Sequence, residues 1–303
     1  DCLLSRGLGD VYKRQNELYT EIKAAQITKM FEEEKALIDE IKIYHQLWNV
    51  KSLLFQEINL NGNVRNEKDT LKLKELVDRI ANINVKGYST KINYLYNHIH
   101  GAYYFSVNDL ECSYHHLQAN VRLLEDDSTT FKNRPNLYFS VLTNIIYIST
   151  RLKKYEEAGE YLSKLKQLST AGKSQKTLDL DIKYFSSSCS LELFLLIEKG
   201  DYHKAEELVP QIEEAYRLYG DHINSLRKAY IDFKVGIIYL SIGEYSKALN
   251  WINKVLNESK IDQKQDIFCF AQLINLILHF ELDNSRFLPC LLYTSDAADE
   301  EDS

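Results

Sequence analysis

Residues 236–255, with the sequence GIIYLSIGEYSKALNWINKV, decide the fold of this chain. Small and aromatic residues alternate here at helical intervals, as Gly236, Tyr239, Gly243, Tyr245 and Ala248. A glycine or alanine at a helix crossing lets two backbones approach closely, and Gly243 permits a tight turn between the helices. The stretch therefore predicts an antiparallel pair, helix A before the turn and helix B after it.

The start of helix B recurs along the chain. Tyr155, Tyr202 and Tyr245 each stand three residues before an alanine, and the tyrosines lie 47 and 43 residues apart. A weaker fourth copy occupies residues 109–113, about 45 residues before the first. Self-similarity at a nearly constant period is typical of helical-repeat proteins.

The residues at 236–255 resemble the tetratricopeptide repeat (TPR), in which helix A and helix B pack as an antiparallel pair. The resemblance implies an all-α fold, a right-handed superhelical solenoid of antiparallel helix pairs. The period exceeds the TPR standard of about 34 residues, and Lys260 stands where the family has a proline. Long repeats of this kind resemble bacterial TPR proteins of the peptide-sensing regulator type, over residues 90–288.

The ends of the chain differ from its centre. Residues 1–15 and 289–303 resemble translated sequencing adapter, so we expect both to be non-native flanks. Residues 16–90 form N-terminal helices of diverged repeats, with one long or two consecutive helices over 17–60 and another over 67–83. Residues 91–288 form the TPR-like repeats, and the last is expected to be truncated after an apolar helix over 266–281, which would favour self-association.

One part of this register stays open. Asn144 and Tyr147 fit the glycine and tyrosine positions of helix A only if the following turn is two residues longer than in the best copy. The register of residues 138–155 is therefore not decided by the pattern.

Composition excludes several classes of function. The formal net charge is −7, and removing the two flanks leaves a nearly neutral core without the basic surface that nucleic-acid binding requires. No apolar run is long enough to span a membrane. Outside the flanks the cysteines are Cys112, Cys189 and Cys269, an odd and dispersed set that favours a reducing, cytoplasmic location.

No catalytic or metal-binding motif is present. His98 and His100, and likewise His115 and His116, have spacings that do not place two rings on one helix face. The serine-rich run at 186–190 lies inside a helix A, where small side chains favour close helix packing. The sequence predicts no enzyme activity, no cofactor and no metal site.

A groove lined by the A helices is the expected binding surface, since TPR-like arrays present these helices on their concave side. Asn144 is expected to bond a peptide backbone, and Arg151 to meet a carboxylate. The predicted peptide-binding residues are His98, Phe105, Asn144, Tyr147, Arg151, Phe194, Phe233 and Ile237, and the same register adds Ala102, Thr143, Thr150, Ser190, Ile197 and Leu240.

The pattern thus predicts a non-enzymatic module whose partner is a protein or an extended peptide. The alternative is the ligand-sensing half of a bacterial signalling or transcriptional regulator whose output domain is absent from this fragment. An enzyme built on helical repeats is the third class.

Overall fold

The computed structural model describes residues 24–61, 64, 66–126, 135–171, 177–258 and 266–284, and every regular element among them is a helix. The predicted all-α, helical-repeat fold is confirmed. The two predicted flanks lie outside the described residues, so their non-native origin stays a prediction. The α-helices are α1 Ala24–Asn61, α2 Glu67–Asp78, α3 Thr90–Ser106, α4 Leu110–Asp126, α5 Pro135–Arg151, α6 Tyr155–Ala171, α7 Leu178–Lys199, α8 Tyr202–Glu206, α9 Val209–Tyr219, α10 Ser225–Ser241, α11 Tyr245–Leu256 and α12 Asp266–Glu281.

The chain divides into two compact units, and the first ends at Asp109. In the first unit, α3 packs on α1 and α2. The predicted helix over 17–60 is a single helix from residue 24 onward. Of its apolar positions only Leu47, Val50 and Leu54 are buried, whereas those before Leu47 are partly or largely exposed.

The second unit consists of the predicted pairs of A and B helices. Helix A is represented by α5, α7, α10 and α12, and the corresponding B helices include α6, α8 and α11. α4 packs against α5. Pro210 lies in the first turn of α9, and since the residue before a proline disfavours helical backbone, the third helix B is divided into α8 and α9. None of the described helices is long and apolar enough to cross a membrane.

The turns between A and B helices give the register directly. In each such turn a residue with positive φ follows the end of the A helix by one or two residues. The amide of the next residue donates to the carbonyl five residues before it, which caps the helix. These pairs are Asp109 N to Tyr104 O, Lys154 N to Ser149 O, Asp201 N to Leu196 O, Glu244 N to Tyr239 O and Asn284 N to His279 O. The positive-φ residues are Asn108, Lys153, Gly200, Gly243 and Asp283.

This register decides the open question about α5. The turn after α5 has the same length as the turn after α10, so Ile146 aligns with Gly236 and Ser149 with Tyr239. Placing Asn144 in the glycine position is wrong, because Asn144 is exposed whereas Ile146 and Ser149 are fully buried. At the position of Gly236, α5 has the larger Ile146, and at the position of Tyr239 it has the smaller Ser149.

The close approach predicted at Gly236 is present. A Cβ atom at this position would lie 2.6 Å from Ile252 Cδ1 and 2.8 Å from Ile252 Cγ1. Ala248, on the facing side of α11, is fully buried, as is Ile252. The small residues of the opening stretch therefore stand where α10 crosses α11.

Candidate functional site

An open cleft of about 330 Å³ lies across three consecutive A helices of the second unit, α5, α7 and α10. This volume is at the lower end of the range for ligand sites, about 300–1,000 Å³. The lining residues are Phe139, Thr143, Ser186, Ser187, Ser190, Leu191, Arg227 and Tyr230. Thr143 and Ser190 belong to the groove positions expected from the sequence.

The serine-rich segment of α7 forms the middle of the cleft. Ser187 and Ser190 line it, while Ser186 both lines it and is buried. Ser188 turns away, since its hydroxyl donates to Tyr184 O at 2.7 Å. Ser186 fits the prediction that small side chains allow close helix packing, because it is buried. The small size of the serines also leaves room for the cleft.

Cationic groups approach these serines from α10. Arg227 Nη1 donates to Ser186 Oγ at 3.3 Å, and Lys234 Nζ donates to Ser190 Oγ at 2.6 Å. The contacts advance in the same direction along both helices, so α7 and α10 run parallel. Lys234 is half-buried, and burial lowers the pKa of its amine to about 8 because the charged form loses hydration.

A third cation lies at the α5 side. Lys183 Nζ donates to Asn136 Oδ1 at 3.1 Å, and it lies 4.6 Å from the centre of the Phe139 ring. Phe139 also contacts Tyr184 edge to face, with ring centres 4.9 Å apart. These contacts hold α7 against α5 and bring positive charge to the edge of the cleft.

Three of the predicted groove residues meet in one patch. The rings of Tyr147 and Phe194 stack with centres 5.2 Å apart and an interplanar angle of 16°. Arg151 Nη1 donates to Tyr147 Oη at 3.2 Å. Asn144 is exposed one turn before Tyr147 on the same helix. The structure therefore brings together Tyr147, Arg151 and Phe194, with Asn144 one helical turn away, although the binding role of all four stays a prediction.

Two further predicted groove residues of this unit, Phe233 and Ile237, are apolar. Phe233 and Ile237 are half-buried on α10, and Phe233 packs against the core of the unit. At the equivalent positions α5 has Thr143 and Tyr147, and α7 has Ser190 and Phe194. The surface thus becomes more apolar from α5 towards α10.

His98 and Phe105 lie in the first unit. The His98 ring stacks on Phe55 of α1 and on Tyr94 of α3, with centres 5.0 and 5.8 Å away. Burial, with a smaller effect of Lys51, lowers its pKa to about 4. These contacts place His98 in the packing between α1 and α3, and Phe105 is half-buried on the same helix.

The sequence pattern did not indicate Arg227 and Lys234, which contact the serines, or Tyr230, which lines the same cleft. Arg227 and Lys234 follow Ser186 and Ser190 by 41 and 44 residues, close to the repeat period. That offset was the available signal, because equivalent positions of consecutive A helices are neighbours in a helical array.

Cys189 of α7 is not an activated nucleophile. Cys189 is buried, and burial raises the pKa of its thiol to about 12, so it is protonated at neutral pH. Within the ranges that the structure describes, no group of three or more His, Cys, Asp and Glu side chains could hold a metal ion.

Neither a known protein-family model nor a curated protein sequence matches this chain. Solved structures with a similar fold include those of NprR and RapI. NprR in complex with its cognate peptide NprX is 17% identical with a TM-score of 0.57, and the match covers 96% of this chain and 79% of NprR. The apo form of RapI is 16% identical with a TM-score of 0.62, covering 94% of this chain and 75% of RapI. The fold thus defines a helical-repeat protein of the TPR-like class.

Proposed function

We propose that this chain is a non-enzymatic module that binds an extended peptide along the A helices of its second unit. The observation that carries the proposal is the open cleft across α5, α7 and α10, which adjoins the stacked rings of Tyr147 and Phe194 through α5 and α7. Tyrosine offers a large contact area at low entropic cost, and aromatic and Arg side chains often dominate binding energy. The solved complex of NprR with a peptide supports the same choice of ligand.

The test is a selection of linear peptides from a random display library on the unmodified protein. Selected peptides are then titrated by fluorescence anisotropy against a double variant, Tyr147→Ala with Arg151→Ala. We expect affinity to fall by about 10-fold or more, since loss of such residues commonly costs about 2 kcal/mol.

The matched control is Glu156→Ala with Glu160→Ala on α6, the helix B that follows α5. This variant should bind the selected peptides as the unmodified protein does. Equal binding by the Tyr147 and Arg151 variant, with loss of binding by the α6 variant, would instead support a scaffold that uses its B helices.

A finer form of the proposal makes the module the sensing part of a regulator. In that case the bound peptide must change the conformation of the repeats, because a ligand shifts an equilibrium only by differential affinity for two states. Hydrogen exchange with and without a selected peptide measures this: protection in α6 and α11, away from the cleft, supports coupling, and protection confined to the cleft helices supports a simple binding module.

A further inference from the structure

Outside the cleft, the cations of the second unit have two kinds of partner. Arg122 and Arg151 donate to the neutral side chains of Gln118 and Tyr147, and several lysines and arginines form ion pairs with carboxylates. These pairs are Lys154 with Glu111, Lys164 with Glu125, Lys166 with Glu192, Lys199 with Glu156 and Asp201, Lys204 with Asp201, Arg217 with Glu214 and Lys247 with Glu244.

Arg227 lines the cleft, and Lys234 and Lys183 contact its lining residues Ser190 and Phe139; all three have neutral partners. Arg227 bonds the Ser186 hydroxyl, Lys234 bonds the Ser190 hydroxyl, and Lys183 bonds the side-chain carbonyl oxygen of Asn136. Among the described residues, no carboxylate lies within ion-pair distance of these three cations. The cleft therefore contains the positive charge of Arg227 and has those of Lys234 and Lys183 beside it, in a chain whose formal net charge is −7.

Of these three cations, Lys234 loses the most hydration by burial. A half-buried ammonium with one hydroxyl partner loses hydration without a compensating negative charge. If Lys234 served only to hold α7 against α10, an apolar side chain of similar length would do so with a smaller desolvation penalty. An anion in the cleft would supply the missing partner.

The two cations of α10 converge towards one place. The Cα atoms of Arg227 and Lys234 are two helical turns apart, about 10 Å along the axis. Their charged groups reach Ser186 and Ser190, which are one turn apart on α7 with Cβ atoms about 5–6 Å from each other. Tyr230, exposed between the two cations on α10, lines the same cleft. A carboxylate between the serines would lie close to both charges.

We propose that the ligand of this cleft is an acidic peptide, whose carboxylate binds between Arg227 and Lys234 while its apolar side chains lie on Phe194 and Ile237. This assignment rests on the proposed function and names the chemistry of its ligand. The carboxylate belongs either to an Asp or Glu side chain or to the peptide C-terminus.

The experiment uses the full chain and peptides selected on it from a random linear library. The leading peptide is compared by isothermal titration calorimetry with two analogues, one with each acidic side chain replaced by its amide and one with an amidated C-terminus. The protein variants are Arg227→Gln and Lys234→Met, with Lys247→Met as the control because Lys247 forms an ion pair outside the cleft.

We expect selected peptides to be enriched in acidic groups. Arg227→Gln and Lys234→Met should each weaken the leading peptide by about 10- to 100-fold, as for close charge pairs at interfaces. The analogue that lacks the essential carboxylate should bind weakly and be insensitive to both variants, and Lys247→Met should change nothing. Arg227 is exposed, so its variant reports on binding even if Lys234→Met disturbs folding.

The outcomes separate this inference from the proposed function. Selected peptides that lack acidic groups, and that bind both variants as tightly as the unmodified protein, would overturn the acidic ligand and leave peptide binding in place. Failure to select any peptide would overturn both. A mixed-sequence single-stranded DNA that displaces the peptides and needs Arg227 to bind would also overturn the assignment.

Discussion

At the scale of single residues, the second unit contains a buried carboxyl group with one neutral partner. Asp232 on α10 is buried, and Tyr216 Oη donates to its Oδ1 at 2.8 Å. Burial raises the pKa of Asp232 to about 6, against the opposing effects of the Tyr216 hydrogen bond and of Lys254 and Lys228. The folded chain therefore favours the protonated acid more than the unfolded chain does.

The sign of the resulting pH dependence follows from this raised pKa. Below about pH 4 the acid is protonated in both states, whereas between about pH 4 and 6 only the unfolded state ionises, so stability falls and stays lower above pH 6. Asp232→Asn keeps an acceptor for Tyr216 and removes the ionisation. We expect it to be about 1–3 kcal/mol more stable than the unmodified chain at pH 7.5 and nearly equal at pH 4. Urea unfolding at both pH values measures this, and a difference that does not change with pH would contradict it.

A second residue-scale prediction concerns the end of α5. Lys153 has φ +59°, in the left-handed region that costs residues with a Cβ atom about 1–2 kcal/mol. The equivalent residues of two other turns are Gly200 and Gly243. We expect Lys153→Gly to raise stability by about 0.5–1 kcal/mol, because relief of strain exceeds the added entropy of the unfolded chain.

The reciprocal change is the control. A Cβ atom at Gly243 would meet no atom within 4 Å, so Gly243→Ala tests backbone conformation alone. It should lower stability while Lys153→Gly raises it, as measured by denaturant midpoints. A loss of stability in both variants would show that the Lys153 side chain matters more than its backbone.

At the scale of elements, the crossing of α10 and α11 depends on volume. Gly236→Ala adds a Cβ atom 2.6 Å from Ile252 Cδ1, where Ile252 is fully buried. Overpacking typically costs about 1–3 kcal/mol, which exceeds the gain of about 1 kcal/mol that alanine brings to a helix interior. We expect Gly236→Ala to lower the denaturant midpoint.

Gly159 within α6 is the matched control, because a Cβ atom there meets nothing within 4 Å. Gly159→Ala should therefore be stabilising by about 0.5–1 kcal/mol. Combining Gly236→Ala with Ile252→Val, which removes the clashing Cδ1 atom, should recover part of the loss. Strict additivity of those two changes would argue against the crossing geometry.

A second element-scale prediction concerns α11 at the same crossing. Ala248 is fully buried against α10, while Ser246 is exposed on the same helix. Ala248→Leu should cost about 1–3 kcal/mol, and Ser246→Leu should stay within about 0.5 kcal/mol of the unmodified chain. Chemical denaturation compares the two, and equal midpoints would contradict the placement of Ala248.

At the scale of the whole molecule, α12 presents an apolar stripe. Phe270, Leu273, Ile277 and Phe280 are 57%, 54%, 39% and 70% exposed on one helix face. When α12 is aligned with α7 by the turn residues Asp283 and Gly200, three residues of the stripe have equivalents on α7. Leu273, Ile277 and Phe280 correspond to Ser190, Phe194 and Ile197. The apolar gradient of the A helices therefore continues onto α12, and exposed apolar patches favour association.

We expect the chain to self-associate through this stripe as its concentration rises. Phe270→Lys with Phe280→Lys should shift sedimentation velocity profiles towards the monomer. Leu218→Lys on α9, at a comparably exposed leucine, should leave association unchanged. Association that persists in the stripe variant and disappears in the Leu218 variant would place the contact elsewhere.

The sequence by itself determined the helices, their antiparallel pairing and the small residues at the α10–α11 crossing. These features depend on local spacing, since a helix period, a glycine turn and an alanine at a crossing lie within about twenty residues of each other. It also indicated the meeting of Tyr147, Arg151 and Phe194, whose separation matches one repeat.

Only the tertiary structure decided the register of α5, the packing of His98 against α1 and the convergence of Arg227 and Lys234 on the serines of α7. The positive-φ turn residues are 45, 47, 43 and 40 residues apart, so the offset between neighbouring repeats is not constant. Because this offset varies, the sequence spacing does not fix which residues of neighbouring repeats are in contact. The packing of side-chain volumes between the helices decides it. In α5, Ile146 and Ser149 exchange the small and large positions of the best copy, and that exchange is decided by packing over distances that a local pattern does not contain.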